Sequence, residues 1–171
     1  MAVADPDLLA RRRSARLWVV PVVSTIAGSC VGLLPVVATA PTLPSFGLLM
    51  ALGWRLLRPE MWAPWMALLL GLADDLIGGA PLGTAATLWT IAFLGFDIVD
   101  AQSMWRDYWL DWWLASIAIL VCGLGDWLIV GFVGGRAAPV WAILPTLAIG
   151  IIAFPAVAWI CTRLDRWRLK R

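Results

Sequence analysis

Two adjacent carboxylates end an otherwise apolar run in the stretch Gly71-Leu-Ala-Asp-Asp-Leu-Ile-Gly-Gly-Ala-Pro-Leu-Gly83. The run begins near Trp62, and Gly-Gly-Ala-Pro interrupts it after Ile77. A carboxylate at the centre of a membrane span costs roughly 2.5–3.5 kcal/mol on insertion scales, and less near the interface. Asp74 and Asp75 therefore need partners or water, and we expect this stretch to be either the packing core or the functional core of the protein.

The composition is typical of an all-α, polytopic membrane protein. Hydrophobic residues make up 62% of the 171 residues and charged residues 14%, whereas a soluble domain carries about 25% charged residues. The apolar residues form long blocks separated by short charged or Pro/Gly breaks. Histidine is absent and the three cysteines are scattered, so we expect no disulfide framework, metal or cofactor. Nothing in the sequence indicates a nucleic-acid partner.

Six apolar runs predict a six-helix transmembrane bundle over 17–162, with basic tails at 1–16 and 163–171. The second run is the weakest, since it is short for a span at 1.5 Å per residue and could be a thin span or a re-entrant segment. The six runs cover 17–37, 43–57, 61–77, 82–99, 110–133 and 140–162.

Charge asymmetry predicts that both termini are cytoplasmic. With six spans, twelve of the thirteen Lys and Arg residues fall on one side and Arg136 alone on the other, as the positive-inside rule requires. Tryptophans are expected at the cytoplasmic span ends, where indole rings prefer to lie, whereas Trp89 and Trp127 are expected between helices. The tryptophans assigned to the cytoplasmic ends are Trp18, Trp54, Trp62, Trp105, Trp109, Trp112 and Trp113.

Small residues spaced by four predict close helix contacts around the aspartates. In the six-span topology Asp74, Asp75 and Asp126 all lie in the outer half of the membrane, so they could converge in one outward-facing polar pocket. A stripe of three threonines on the fourth helix could supply hydroxyl partners. The rows are Ala67, Gly71, Asp75 and Gly79; Gly71, Asp74 and Gly78; Ala118, Cys122 and Asp126; and Thr84, Thr87 and Thr90.

Three interpretations of the aspartates stay open from the residues alone. The acids could hold the bundle together by capping helix ends or accepting hydrogen bonds from the broken 78–83 backbone. They could instead bind a solute, an ion or a proton. Catalysis is the weakest, because an aspartyl dyad needs facing carboxylates and the neighbours Asp74 and Asp75 point about 100° apart on a helix.

Two further segments suggest contacts at the membrane surface. The segment 97–111 resembles an interfacial turn of helix with an acidic flank. We expect it to be a solvated loop with aromatic anchors, and a docking surface for a partner is the alternative. The C-terminal tail is expected to bind anionic lipid head groups, or an acidic partner, through Arg163, Arg166, Arg168, Lys170 and Arg171.

The motif around Asp75 resembles the signature of the bacterial rod shape-determining MreD family. Asp75, Pro81, Leu82 and Gly83 match it best, 54–60 resembles the family's short cytoplasmic connection, and Asp126 resembles a second aspartate in a later span. The resemblance extends to the layout of the whole chain, while the motif itself is short.

This resemblance implies a fold and a function. The fold would be similar to the six-helix substrate-binding subunits of vitamin uptake transporters. The function would be that of a non-enzymatic, multi-pass scaffold in the bacterial inner membrane, within the machinery of cell elongation and peptidoglycan synthesis. Its implied partners are MreC, the actin-like MreB, the RodA glycosyltransferase, the associated penicillin-binding transpeptidase and membrane lipids. The site residues would be Gly71, Asp74, Asp75, Pro81, Gly83 and Asp126. The alternative is a small-solute-binding subunit of an uptake transporter, and a membrane enzyme ranks last.

Overall fold

The computed structural model describes residues 6–33, 43–102, 108–135 and 139–169, with side chains described from Trp18 onward except at Gln102. The described residues form six α-helices and two short 3-10 turns, Pro59–Met61 and Val140–Ala142, and none of them forms a strand. The helices are α1 (Pro6–Val31), α2 (Phe46–Leu57), α3 (Pro64–Gly78), α4 (Thr84–Gln102), α5 (Tyr108–Gly134) and α6 (Leu144–Leu169).

Each predicted apolar run corresponds to one helix, but the outermost helices are longer than expected. The backbone of α1 is helical from Pro6, so most of the basic segment placed in an N-terminal tail belongs to the first helix. Likewise α6 continues to Leu169, through most of the segment 163–171. Hydrophobicity marks where a helix is apolar, whereas helical backbone continues wherever good helix formers such as Arg and Leu follow.

Successive helices run in opposite directions, which gives the bundle two distinct ends. Asp75 near the end of α3 contacts the start of α4, and Arg55 near the end of α2 contacts Asp97 near the end of α4. We call the end that holds Asp74, Asp75 and Asp126 the carboxylate end. The opposite end, which holds Arg55, is the arginine end.

The short helix α2 lies in the core of the bundle. It packs against α1, α3, α5 and α6, and Leu49, Leu52 and Trp54 on it are almost completely inaccessible. Twelve residues correspond to about 18 Å of helix. This explains why the second run is the weakest in the sequence, because α2 is enclosed by protein and needs no long lipid-facing surface.

Within the part of the chain that the structure describes, three helices are long and apolar enough to cross a membrane, over Thr84–Ala101, Tyr108–Gly134 and Val140–Leu169. Large apolar side chains also cover the outside of the bundle, with Phe132 85% and Ile152 77% exposed. A soluble monomer rarely exposes such extensive apolar surface. These features indicate a membrane protein.

The tryptophans divide between the surface and the core. Trp18, Trp109 and Trp113 are exposed, whereas Trp105 lies outside the described residues. Trp54 and Trp62, expected at an interface, are instead buried, so that expectation is wrong for these two. A neighbouring charge in the sequence marks the end of a helix but not which face a side chain takes. Trp89 is buried between helices, as predicted.

Candidate functional site

Asp75 caps the first turn of α4. Its Oδ2 accepts hydrogen bonds from the backbone N–H groups of Gly83 at 2.9 Å and Ala86 at 3.4 Å, and its Oδ1 accepts one from Ala85 at 2.8 Å. The first N–H groups of a helix have no partner within it and carry partial positive charge. A buried carboxylate from a neighbouring helix satisfies both requirements, and this is the capping role considered for Asp75 from the sequence.

The glycine and proline residues of the motif set the geometry of this cap. A methyl group on Gly71 would lie 2.6 Å from Cα of Ala86 and 2.7 Å from the carbonyl of Ala85, so the backbones of α3 and α4 touch there. Gly83 has a φ of 96°, which an L side chain rarely adopts. The carbonyl of Pro81 accepts the Thr84 hydroxyl at 2.7 Å. The motif is therefore a tight turn that brings the start of α4 onto Asp75.

Asp74 faces the interface between α1 and α2. The hydroxyl of Ser29 on α1 and Oδ1 of Asp74 both lie against Gly47. A methyl group on Gly47 of α2 would lie 2.8 Å from Oδ1 of Asp74. The adjacent acids thus serve different contacts, because Asp75 binds α4 while Asp74 lies beside α1 and α2.

Asp126 is the third acid of the group, and it accepts no hydrogen bond from the described residues. It lies close enough to Asp74 and Asp75 for their charges to act on it, yet none of the described residues donates a hydrogen bond to it. The same part of the chain contains no group of three metal-ligating side chains. The convergence of the three acids at one end agrees with the sequence analysis.

A cavity of about 700 Å³ occupies the carboxylate end. Asp74, Asp75 and Asp126 line it together with apolar side chains of α2, α5 and α6. Buried residues such as Leu49 and Trp89 form its inner wall, whereas Asp126 is exposed. The cavity is large enough for a small organic molecule.

The threonine stripe does not contribute to this cavity as expected. Thr84, Thr87 and Thr90 donate to carbonyls of their own chain, those of Pro81, Gly83 and Ala86, at 2.6–2.7 Å. Threonine hydroxyls in helices commonly make such bonds to the preceding turn. The prediction that they bind the aspartates is therefore wrong.

The small-residue row on α5 forms a close contact with α4. Ala118 and Cys122 are buried, and the thiol of Cys122 lies 3.6 Å from the carbonyl oxygen of Leu88. On α3, Ala67 is buried in the row of Gly71 and Asp75. Gly79 belongs to the turn after α3, where it has a φ of 68°. Small residues at this spacing thus mark the contacts of α3 and α5 with α4.

A buried arginine, which the sequence analysis did not single out, joins two helices at the arginine end. Arg55 is only 1% exposed. Its guanidinium pairs with Asp97 through Nη2 and with Asp100 through Nη1, the latter at 2.9 Å. Both aspartates belong to α4, which continues past the end of the predicted fourth run, 82–99, into the segment 97–111. Their spacing of three residues, which puts both on one helix face, is the signal that could have indicated a shared partner.

A second ionic cluster ties the end of α6 to the segment after α2. Asp165 accepts hydrogen bonds from Arg58 at 2.9 Å and from Nε of Arg168 at 2.7 Å. The hydrogen bond and the charge of Asp165 raise the pKa of Arg58 above its ordinary value. Arg168 also stacks 5.2 Å over the ring of Trp54, and the indole N–H of Trp54 donates to Ser24 on α1 at 2.8 Å.

The basic residues that were expected to bind lipid differ in their exposure, because one of them belongs to this ionic cluster. Arg168 is buried against Asp165 and Trp54, so it binds within the protein rather than at a head group. Arg163 and Arg166 are exposed, and Arg163 packs on Trp159 at 5.3 Å. Lys170 and Arg171 lie outside the described residues.

Comparison with protein-family models, with curated proteins and with solved structures finds no match to this chain.

Proposed function

We propose that this protein is a non-enzymatic scaffold of the bacterial cell-elongation machinery in the inner membrane, similar to MreD, and that it binds MreC. The observation that supports it best is the use of Asp75, whose carboxylate holds α3 to α4 within the motif that resembles that family. MreB, RodA and its penicillin-binding transpeptidase would act in the same assembly.

The ionic groups at the arginine end support the same role. Arg55 joins α2 to α4, and Asp165 joins α6 to the segment after α2. Charged groups in these positions hold helices together and leave the apolar exterior of the bundle for lipids and neighbouring membrane proteins.

The proposal includes six spans with both termini in the cytoplasm. The helix α2 supports this topology although it is short, because Gly47 in its first turn lies beside Asp74 and Arg55 in its last turn lies beside Asp97. The uneven distribution of Lys and Arg along the sequence favours the same orientation. Reporter fusions after each helix would test it, and a reporter active in the periplasm when fused to the C-terminus would contradict it.

Co-purification with MreC tests the scaffold function. Tagged protein, gently solubilised from membranes of a rod-shaped host, should recover MreC, and its depletion should round the cells. The Asp75→Asn variant should recover less MreC, because α3 and α4 separate, whereas Asp126→Asn, which removes a carboxylate without a protein donor among the described residues, should recover as much as wild type. Normal rods after depletion together with no recovery of MreC would refute the proposal.

The cavity favours a second candidate, a small-solute-binding subunit of an uptake transporter. A volume of about 700 Å³ and a lining that contains carboxylates are typical of a site that binds a small solute. A purely structural bundle has no need of such a cavity. Native mass spectrometry of the purified protein distinguishes the two functions. A retained small molecule without MreC supports the transporter subunit, and co-purification with MreC supports the scaffold whether or not a small molecule is retained.

A further inference from the structure

The cavity at the carboxylate end has the chemistry of a binding site for one class of ligand. We propose that it binds a small organic ammonium ion with an apolar body, whose charge lies between Asp74 and Asp126 and whose other end lies against Trp89. This inference does not depend on the scaffold function, since a scaffold and a transporter subunit could each hold such a ligand.

The charge of the cavity is the first reason. Its described lining contains carboxylates but neither lysine nor arginine. Asp75 is occupied by the N–H groups of α4, whereas Asp126 receives no hydrogen bond from any described residue, and Asp74 has the hydroxyl of Ser29 as its neighbour. Two carboxylates beside an apolar wall gain most from a cation that can donate several hydrogen bonds.

The second reason is an unused donor on the inner wall. Trp89 lines the cavity and is only 2% exposed, yet within the described part of the chain its indole N–H has no acceptor. That N–H is not among the buried polar groups left without a partner in the described chain, so it is accessible from the cavity, whereas the indole N–H of Trp54 donates to Ser24. Indole N–H groups at largely buried positions usually find a partner. The indole of Trp89 can therefore donate to an acceptor on the occupant, and its ring adds a face that attracts cations.

The size and walls of the cavity indicate an organic cation rather than a bare metal ion. A volume of about 700 Å³ falls within the range of roughly 300–1,000 Å³ of small-molecule sites. Leu48, Leu49 and Leu147 contribute apolar wall, which would contact a hydrocarbon body. The described side chains also offer no group of three metal ligands.

Tyramine is a suitable probe because it carries an ammonium group, an apolar ring and a hydroxyl acceptor. Protein in lipid nanodiscs should bind it saturably, one per chain, with a Kd of about 1 mM or below by equilibrium dialysis against empty nanodiscs. The matched anion 3-(4-hydroxyphenyl)propionate should not bind. Phenethylamine, which lacks the hydroxyl, should bind about 2- to 10-fold more weakly.

Two variants assign the ligand to the cavity. Asp126→Asn should weaken tyramine binding about 10- to 100-fold, while Glu60→Gln, which removes the same charge at the arginine end, should leave Kd unchanged. Trp89→Phe should bind tyramine and phenethylamine with the same Kd, because the indole N–H that donates to the hydroxyl is gone. The proposal is overturned if tyramine does not bind saturably, if the anion binds equally well, or if Asp126→Asn binds like wild type. Recovery of MreC in a separate experiment decides the scaffold function independently.

Discussion

Replacing Asp75 should destabilise the protein more than replacing any other acid at the carboxylate end. In Asp75→Ala the N–H groups of Gly83 and Ala85, which now donate at 2.9 and 2.8 Å, lose their acceptor. A fully buried N–H that loses its acceptor costs about 1–3 kcal/mol. Because Gly83 and Ala85 are only half-buried, the free energy of unfolding should fall by less than the full sum, about 1–4 kcal/mol. Asp75→Asn keeps one acceptor oxygen and should lose about half of that, roughly 0.5–2 kcal/mol.

Unfolding by SDS titration in mixed micelles, followed by tryptophan fluorescence, measures these differences. The matched control is Asp126→Asn, which removes a carboxylate at the same end and should change the free energy of unfolding by less than about 0.5 kcal/mol. Hydrogen exchange should show in addition that the amides of Gly83 and Ala85 both lose protection in Asp75→Ala. Equal stability of wild type and Asp75→Ala, or equal losses in Asp75→Asn and Asp126→Asn, would refute the capping role.

Further predictions concern the other helix contacts and can be measured by the same titration. Gly71→Ala places a methyl group 2.6 Å from the backbone of α4 and should cost about 1–3 kcal/mol of stability. Gly95→Ala, whose methyl group meets nothing within 4 Å, should be neutral or stabilising. A larger loss of stability in Gly95→Ala than in Gly71→Ala would contradict the contact between α3 and α4. Arg55→Met removes the guanidinium that pairs with Asp97 and Asp100 and should cost about 1–3 kcal/mol, below the usual loss for a buried pair because both aspartates are partly exposed. Replacing both aspartates by asparagine in addition should restore part of the loss, and no restoration would argue against the pairing. Arg168→Gln should lower the free energy of unfolding, whereas Arg166→Gln should leave it unchanged and weaken binding to anionic vesicles by about 1 kcal/mol. Equal losses of stability in the two variants would contradict the different roles assigned to the buried Arg168 and the exposed Arg166.

The helical architecture could be predicted from the sequence because apolar runs and Pro/Gly breaks are local signals. Six runs became six helices, and the weak second run became the enclosed helix α2. The convergence of Asp74, Asp75 and Asp126 also followed from local information. Because successive helices run in opposite directions, every second connection between helices lies at the same end of the bundle. Span number and orientation stay proposals.

Specific side-chain partners could not be predicted, because they depend on which face a helix turns toward its neighbours. Trp54 borders a charged residue in the sequence and was assigned to the membrane surface, yet Trp54 and its neighbour Arg55 are both buried. The partners of Arg55 are 42 or more positions away in the chain. The threonines were assigned to the aspartates, but a hydroxyl on a helix reaches the carbonyl one turn earlier more readily than a group on another helix.

The central claim is that this bundle binds MreC as a scaffold, and a binding measurement with purified components tests it most directly. The protein in nanodiscs would be titrated with full-length MreC in nanodiscs that carry a fluorescent label. Saturable binding that is weakened by Asp75→Asn, and is unchanged by Asp126→Asn, is the predicted result. No binding of MreC above that seen with empty nanodiscs would contradict the claim.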